Sequence, residues 1–319
     1  MRGIITKAIF LVSMLGFTVF GSSQQPQPTT KRVVQYYGQQ TNSYGTKFHI
    51  AKLVNNPNNQ TYATNVLMGE FDLHANKTMS LNGNNPADPA NEWFWDEIKT
   101  VRKGGVRVSM WMRQGFEFLR NDSQFETHYA TINATLNKYE FDGIDLDIED
   151  RGSPDAMTLN DTVHLIKRLR DDFGSDFLIT LAPTSDALLW ASDSTAQFSY
   201  KDLEKQAGSD IDWYNAEFYG GSWTGLKSPD FYEKCISQGG WKPERIVTVI
   251  TTSSDFTYPD PRSSWIGLDE TGPTIEKLSV KYANFGGVGG FDYYDAKPGG
   301  YAAPWQWSRW AAQRMGIVK

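Results

Sequence analysis

The chain has 319 residues, a net charge of −6 and an aromatic content of 14%, with 11 Trp. An acidic balance without any Lys/Arg block argues against nucleic acid as a partner. The single cysteine, Cys235, excludes an intrachain disulfide, so a buried core must hold the fold, and its thiol reads as part of that core.

Residues 1–23 carry Arg2 and Lys7, an apolar run from Ala8 to Phe20, and then Gly21, Ser22 and Ser23. That is the layout of a secretory signal peptide, with a core too short to span a bilayer. Residues 24–31, rich in Gln, Pro and Thr, read as an unstructured tail. No later run stays apolar for the roughly 18 residues a span requires, so a secreted, extracellular monomer with no membrane contact is expected. Five Asn-x-Ser/Thr sequons, at Asn59, Asn76, Asn121, Asn133 and Asn160, are candidate glycosylation sites.

From residue 32 onward, strand patterns fall at 32–39, 66–73, 106–112, 143–148, 177–182, 212–219, 246–251 and 287–292. Helical patterns fall between and after them, at 92–103, 126–139, 160–173, 202–206, 230–237, 274–282 and 305–315. In the helix at 160–173, Val163, Ile166, Leu169 and Phe173 share one stripe, with Lys167, Arg168 and Arg170 outside it and Gly174 as the stop. This alternation predicts an α/β fold, a single (β/α)8 TIM barrel over 32–319. Working residues in such a barrel lie at the C-terminal ends of its strands.

The fourth predicted strand stands apart. It reads FDGIDLDIE over 141–149, so Asp145, Asp147 and Glu149 alternate with Ile144, Leu146 and Ile148. On a strand the three carboxyls share one face and the aliphatic residues the other. Acids crowded into a barrel cannot all ionise cheaply, so at least one pKa should rise. A calcium loop starting at Asp145 would need Gly at its sixth position and Glu at its twelfth, where Asp150 and Ala156 stand. Inward carboxyls among aromatics favour glycoside hydrolysis. Two-carboxyl glycosidases, however, flank the scissile bond from opposite sides; acids on one strand imply that one of them does something other than attack the sugar.

FDGIDLDIE resembles the DGxDxDxE signature of glycoside hydrolase family 18, with Asp142, Gly143, Asp145, Asp147 and Glu149 in place. The resemblance implies a retaining reaction in which the substrate's own 2-acetamido oxygen attacks the anomeric carbon and forms an oxazolinium ion. Glu149 would act as acid and then base, Asp147 would hold the acetamide, and Asp145 would tune Asp147. The stretch DWYNAEFY at 212–219 resembles the family's D-x-x-N-x-[MQ]-x-Y, implying that the Tyr219 hydroxyl bonds the acetamide carbonyl. Of Trp213 and Tyr214, one should face the helical layer. Asp142, Asn215, Glu217, Phe291, Trp111 and Tyr36 are candidate substrate-binding residues. Trp190 and Trp223, in loops, are candidate sugar platforms.

The chain departs from the family pattern at several places. Glu217 takes the place of Met or Gln, and Gly220 that of an Asp or Asn. Trp111-Met112-Arg113-Gln114 replaces a glycine-containing S-x-G-G stretch, and Phe291 replaces a cleft tryptophan. Residues 140–310 are similar to secreted fungal endo-β-N-acetylglucosaminidases, which implies the chitobiose core of N-glycans as substrate. A chitinase acting on chitin, or a carbohydrate-binding protein on a degenerate barrel, are the alternatives. No cofactor or metal is expected, since His49, His74, His128 and His164 show no ligand spacing; His74, ending the second strand, is the one nearest a barrel mouth. An acidic pH optimum is expected for either enzyme.

Overall fold

The computed structural model describes residues 31–42, 44–150, 152–190, 195–219, 225–254 and 265–318. The expected leader and nearly all of the tail, together with Gly220 and Trp223, lie outside them. Among the described residues no helix is long and apolar enough to cross a membrane.

Eight parallel strands close into a barrel: β1 (Arg32–Tyr37), β2 (Asn65–Leu73), β4 (Arg107–Gln114), β5 (Gly143–Leu146), β6 (Leu178–Leu181), β7 (Trp213–Glu217), β8 (Ile246–Thr251) and β9 (Gly287–Phe291). Neighbours pair in sequence order, and β1 closes the ring by pairing with both β2 and β9. A short strand, β3 (Met79–Leu81), runs antiparallel to the end of β2. At three residues it is too brief to show a period in the sequence.

Helices α1 (Glu92–Lys103), α2 (Phe125–Lys138), α3 (Leu159–Phe173), α4 (Tyr200–Ala207), α5 (Asp230–Ser237), α6 (Leu268–Lys281) and α7 (Gln306–Arg314) follow every barrel strand except β1. Among the described residues after β1 comes a single 3-10 turn at Ile50–Leu53. The strand faces alternate as a barrel demands. Val33 and Tyr37 pack outward with the helices, while Val34, Tyr36, Leu67, Trp111, Trp213 and Val249 fill the interior. Trp213 is therefore the inward residue of its pair and Tyr214 the outward one.

Two local expectations are corrected. The buried stripe of α3 is Thr162, Leu165, Ile166 and Leu169, with Val163 only half-buried. Arg170 is tied to Asp212 at 3.0 Å and is not a free outer charge. The helix begins where Thr158 and Asp161 form a capping box. Helix α6 starts at Leu268, not beyond Pro273, because buried Thr271 and Ile275 lie on one packed face that outweighs the proline's missing donor.

Candidate active site

Alternation along 143–149 sends Ile144, Leu146 and Ile148 into the helical layer and the three acids into the barrel and its mouth. Asp145 is deepest and fully buried. Its Oδ1 accepts from Asn215 Nδ2 at 2.8 Å and from the Thr180 hydroxyl, and its Oδ2 accepts from Tyr36 Oη at 3.1 Å. Burial raises the Asp145 pKa, and those three hydrogen bonds oppose the rise.

Asp147 sits one layer higher. Trp111 Nε1 donates to its Oδ2 at 3.1 Å. Gly38 and Gly69 make room for that indole, since a Cβ at either would come within about 3 Å of the ring. Oδ1 of Asp147 is buried and has no hydrogen-bond partner among the described residues. Burial, joined by the charges of Glu217, Glu149 and Asp145, holds its pKa well above the usual range. Asp145 and Asp147 thus both show the expected rise.

Glu149, with its side chain 24% exposed, lies at the mouth, where its Oε2 accepts from Arg113 Nη2 at 2.8 Å and Nε at 3.1 Å. Tyr219 donates its hydroxyl to Glu217 Oε1 at 2.8 Å. Burial and the charges of Glu217 and Asp147 raise its phenol well above the ordinary value, so it stays a neutral donor. Its ring stacks on Phe291 at 5.8 Å, and Tyr36 and Trp111 meet Phe291 edge-on.

Three adjoining hollows result. A central one of about 140 Å³ is lined by Tyr36, Trp111, Asp147, Glu149, Glu217 and Tyr219, among others. Across Glu70, Trp111 and Phe291 it meets a larger hollow of about 710 Å³, whose lining includes Gln39, Gln40, Asn42, Asn82, Asn84 and Asn91. Across Arg113 and Glu149 it meets one of about 240 Å³ that also includes Phe116, Glu117 and Asp150.

Two candidate binding residues need correction. Asp142 precedes β5 and lies at the opposite, N-terminal end of the barrel, where Arg102 holds it at 3.0 and 3.1 Å and the Val108 amide donates to it. It pins strands together and touches no part of the cleft. Asn215 is wholly buried, receiving Trp213 Nε1 and donating to Asp145, so it supports Asp145 from behind. Trp190 is 46% exposed beside Phe231 and lines none of the three hollows.

The sequence reading passed over Glu70, Thr180 and Asp292. Glu70 lies in β2 where the register slips between Met68 and Phe71, and a bulge of that kind re-aims a side chain against the strand period. Asp292 follows β9 and takes backbone N–H groups of Gly38 and Gln39; an Asp among glycines and tyrosines carries no local signal of such a role.

Other candidates have ordinary surroundings. His49 pairs with Glu97, His74 with Ser80 and His128 with the Gln124 carbonyl, while His164 sits edge-on to Phe125. Among the described residues no cluster of His, Cys, Asp or Glu could hold a metal ion. Cys235 is buried in α5, with burial pushing its thiol up to about 12. Asn59, Asn76, Asn121 and Asn160 are exposed. Asn133 is half-buried, and the amide nitrogen a glycan would need donates to Asp172 at 2.8 Å.

Residues 32–256 match the model of Glycosyl hydrolases family 18. A fungal endo-β-N-acetylglucosaminidase of that family superposes with a TM-score of 0.81 at 29% identity, over 90% of this chain and 99% of that one. Chitinase ChiC from Aspergillus fumigatus superposes at 0.75 with 32% identity, over 90% and 100%. A family 18 chitinase from Pseudoalteromonas aurantia shares the fold at 0.69 with 17% identity, over 89% and 100%. No curated protein matches the sequence.

Proposed function

The chain belongs to glycosyl hydrolases family 18 and is a glycosidase, and from that premise we propose that it cuts GlcNAc-β-1,4-GlcNAc in the chitobiose core of N-glycans by substrate-assisted retention. The observation that carries this reading is Asp147 Oδ1, a buried oxygen with no partner among the described residues, in the same small hollow as Glu149 and Tyr219. A buried polar atom left unbonded costs about 1–3 kcal/mol, and a substrate acetamide N–H supplies what it lacks.

With Asp147 holding the acetamide nitrogen and Tyr219 its carbonyl, the carbonyl oxygen is aimed at C1. It attacks as Glu149 gives its proton to the glycosidic oxygen, which departs with the bonding pair. The oxazolinium ion that remains is opened at C1 by water, whose proton returns to Glu149, and the anomeric configuration is retained. The charge of Asp145 below Asp147 limits how far the pair can ionise. An acidic optimum follows, because the donor must hold its proton when substrate arrives. Residues 1–23 support secretion, where N-glycoproteins are met.

The choice of N-glycan rests on asymmetry. Glu149 must stand between the sugar in the central hollow and the leaving group, so the roughly 710 Å³ hollow on the far side receives the glycan and the 240 Å³ one the remainder. Side-chain amides suit the many hydroxyls of a branched glycan. The 32% identity to a chitinase favours the second reading, cleavage of chitin. Purified protein is offered a high-mannose glycoprotein and, separately, chitin oligomers, with products read by mass spectrometry. Release of a glycan bearing one reducing GlcNAc from the first supports the proposal, and cleavage of the second alone overturns the substrate assignment. Glu149→Gln should lower turnover by about 10²–10⁴, and thiazoline mimics of the cyclic intermediate should inhibit.

A further inference from the structure

Glu149, in the role proposed above, has to carry a proton, yet a cation grips it. Arg113, next to last in β4, directs Nε and Nη2 at the same Glu149 oxygen, at 3.1 and 2.8 Å. Both N–H groups go to Oε2, so that oxygen is committed to Arg113 and is not free to face a leaving group. Arg113 also faces a second acid: its Nη1 lies 3.5 Å from Glu70 Oε2, on the other side of the guanidinium. Asp147 Oδ2 is 3.9 Å from Nε. Glu217 shares the central hollow, while Glu117 and Asp150 line the smaller one beyond Arg113.

Among the described residues lining these two hollows one cation, Arg113, stands among several acids, in the wall between them. That wall is where the scissile oxygen must lie. Among the described residues Arg113 is the cation that faces both Glu70 and Glu149, so with both ionised it balances one of them. Protonating Glu149 removes the excess charge and leaves a neutral Arg113–Glu70 pair, so uptake of the proton and release of the guanidinium favour each other.

We propose that Arg113 is a positioning residue that clasps Glu149 in the empty cleft and passes to Glu70 when Glu149 takes its proton, freeing that carboxyl to turn toward the leaving oxygen. Arg113 stands where the family pattern has glycine. Burial counts against the charge of Arg113, but Glu149, Glu70 and Asp147 together outweigh it and keep the group cationic.

The inference rests on Glu149 as proton donor, and its test has one arm that needs activity and one that does not. The pH dependence of kcat/KM is measured for the wild type, R113K and R113Q on the glycoprotein substrate. Without the cation the alkaline limb should move up, while R113K, which keeps the charge, stays near the wild type. Superimposable wild-type and R113Q profiles, or equal shifts in R113K and R113Q, overturn the proposal. In the second arm, carboxyl carbons of Glu are 13C-labelled and titrated by NMR, with the Glu149 signal assigned by its loss in E149Q. A higher Glu149 midpoint in R113Q than in the wild type supports the clasp even if no substrate is cleaved. An unchanged midpoint overturns it, whatever the enzyme turns out to hydrolyse.

Discussion

Asp292 offers a sharp test of how this barrel mouth handles buried charge. It is 5% exposed, and its carboxylate takes the N–H of Gly38 at 3.1 Å, of Gln39 at 3.0 Å and of Tyr293. Burial outweighs those bonds, with Asp295 adding repulsion, and pushes its pKa from 3.8 up to about 7. Between those two values the folded carboxyl keeps a proton that the unfolded chain has released. Its contribution to stability is therefore full below pH 3.8 and is lost as pH rises through about 7. At about 1.4 kcal/mol per unit the loss is on the order of 4 kcal/mol, an upper figure. Asp292→Asn cannot ionise, but its amide nitrogen must face a backbone N–H, a fixed cost of about 1–3 kcal/mol. Urea unfolding of both proteins at several pH values between about 4 and 8 should show the wild-type advantage shrinking as pH rises. A gap that stays constant, or widens toward alkaline pH, refutes the reasoning.

Other consequences are simpler to measure. Asp142→Asn should lower unfolding free energy by about 1–3 kcal/mol through its bonds to Arg102 and Val108, with kcat/KM unchanged; a catalytic defect in a folded variant would return Asp142 to the cleft. Tyr219→Phe removes the hydroxyl now bonded to Glu217 and should reduce kcat about 10²-fold, with KM affected less. Equal activity would show that the acetamide carbonyl is held by another group.

The acid strand was the most legible part of the chain because its signal is a period of two, and period survives any tertiary context. Observed pairing in β5 stops at Leu146, yet the alternation continues to Glu149. The barrel's alternation of strands and helices was legible from apolar patterns, although the start of α6 and the buried stripe of α3 were not. What failed has physical causes. Asp142 belongs to the family motif, but it precedes its strand, and a residue there lies at the wrong end of a parallel barrel for chemistry. Glu70 was hidden by a register slip that no pattern announces. Arg113 was visible as bulk in place of glycine, but its partners come from β2 and the loop after β5, a proximity that only the closed barrel creates. Tyr36 and Trp111 were named as candidate substrate-binding residues, though their bonds to Asp145 and Asp147 were not foreseeable.

The three acids differ in how completely the protein satisfies them, and the gradient follows their depth. Asp145, at the bottom, has three side-chain donors; Asp147 has one donor on one oxygen and none on the other among the described residues; Glu149 leans on an arginine at the surface. Stability alone would not leave the middle position in this state, because repulsion from Glu217, Glu149 and Asp145 adds to its burial. Asp147→Asn keeps the shape and an oxygen for Trp111 while removing the ionisable group. Since the raised pKa of Asp147 makes the wild type lose stability as pH rises, the variant should melt higher than the wild type at about pH 8, with the difference shrinking toward pH 4. Turnover should fall sharply at both pH values. A variant that melts lower than the wild type throughout would mean that the carboxyl stabilises the fold, and the idea of a site held at the expense of stability would then have to be abandoned.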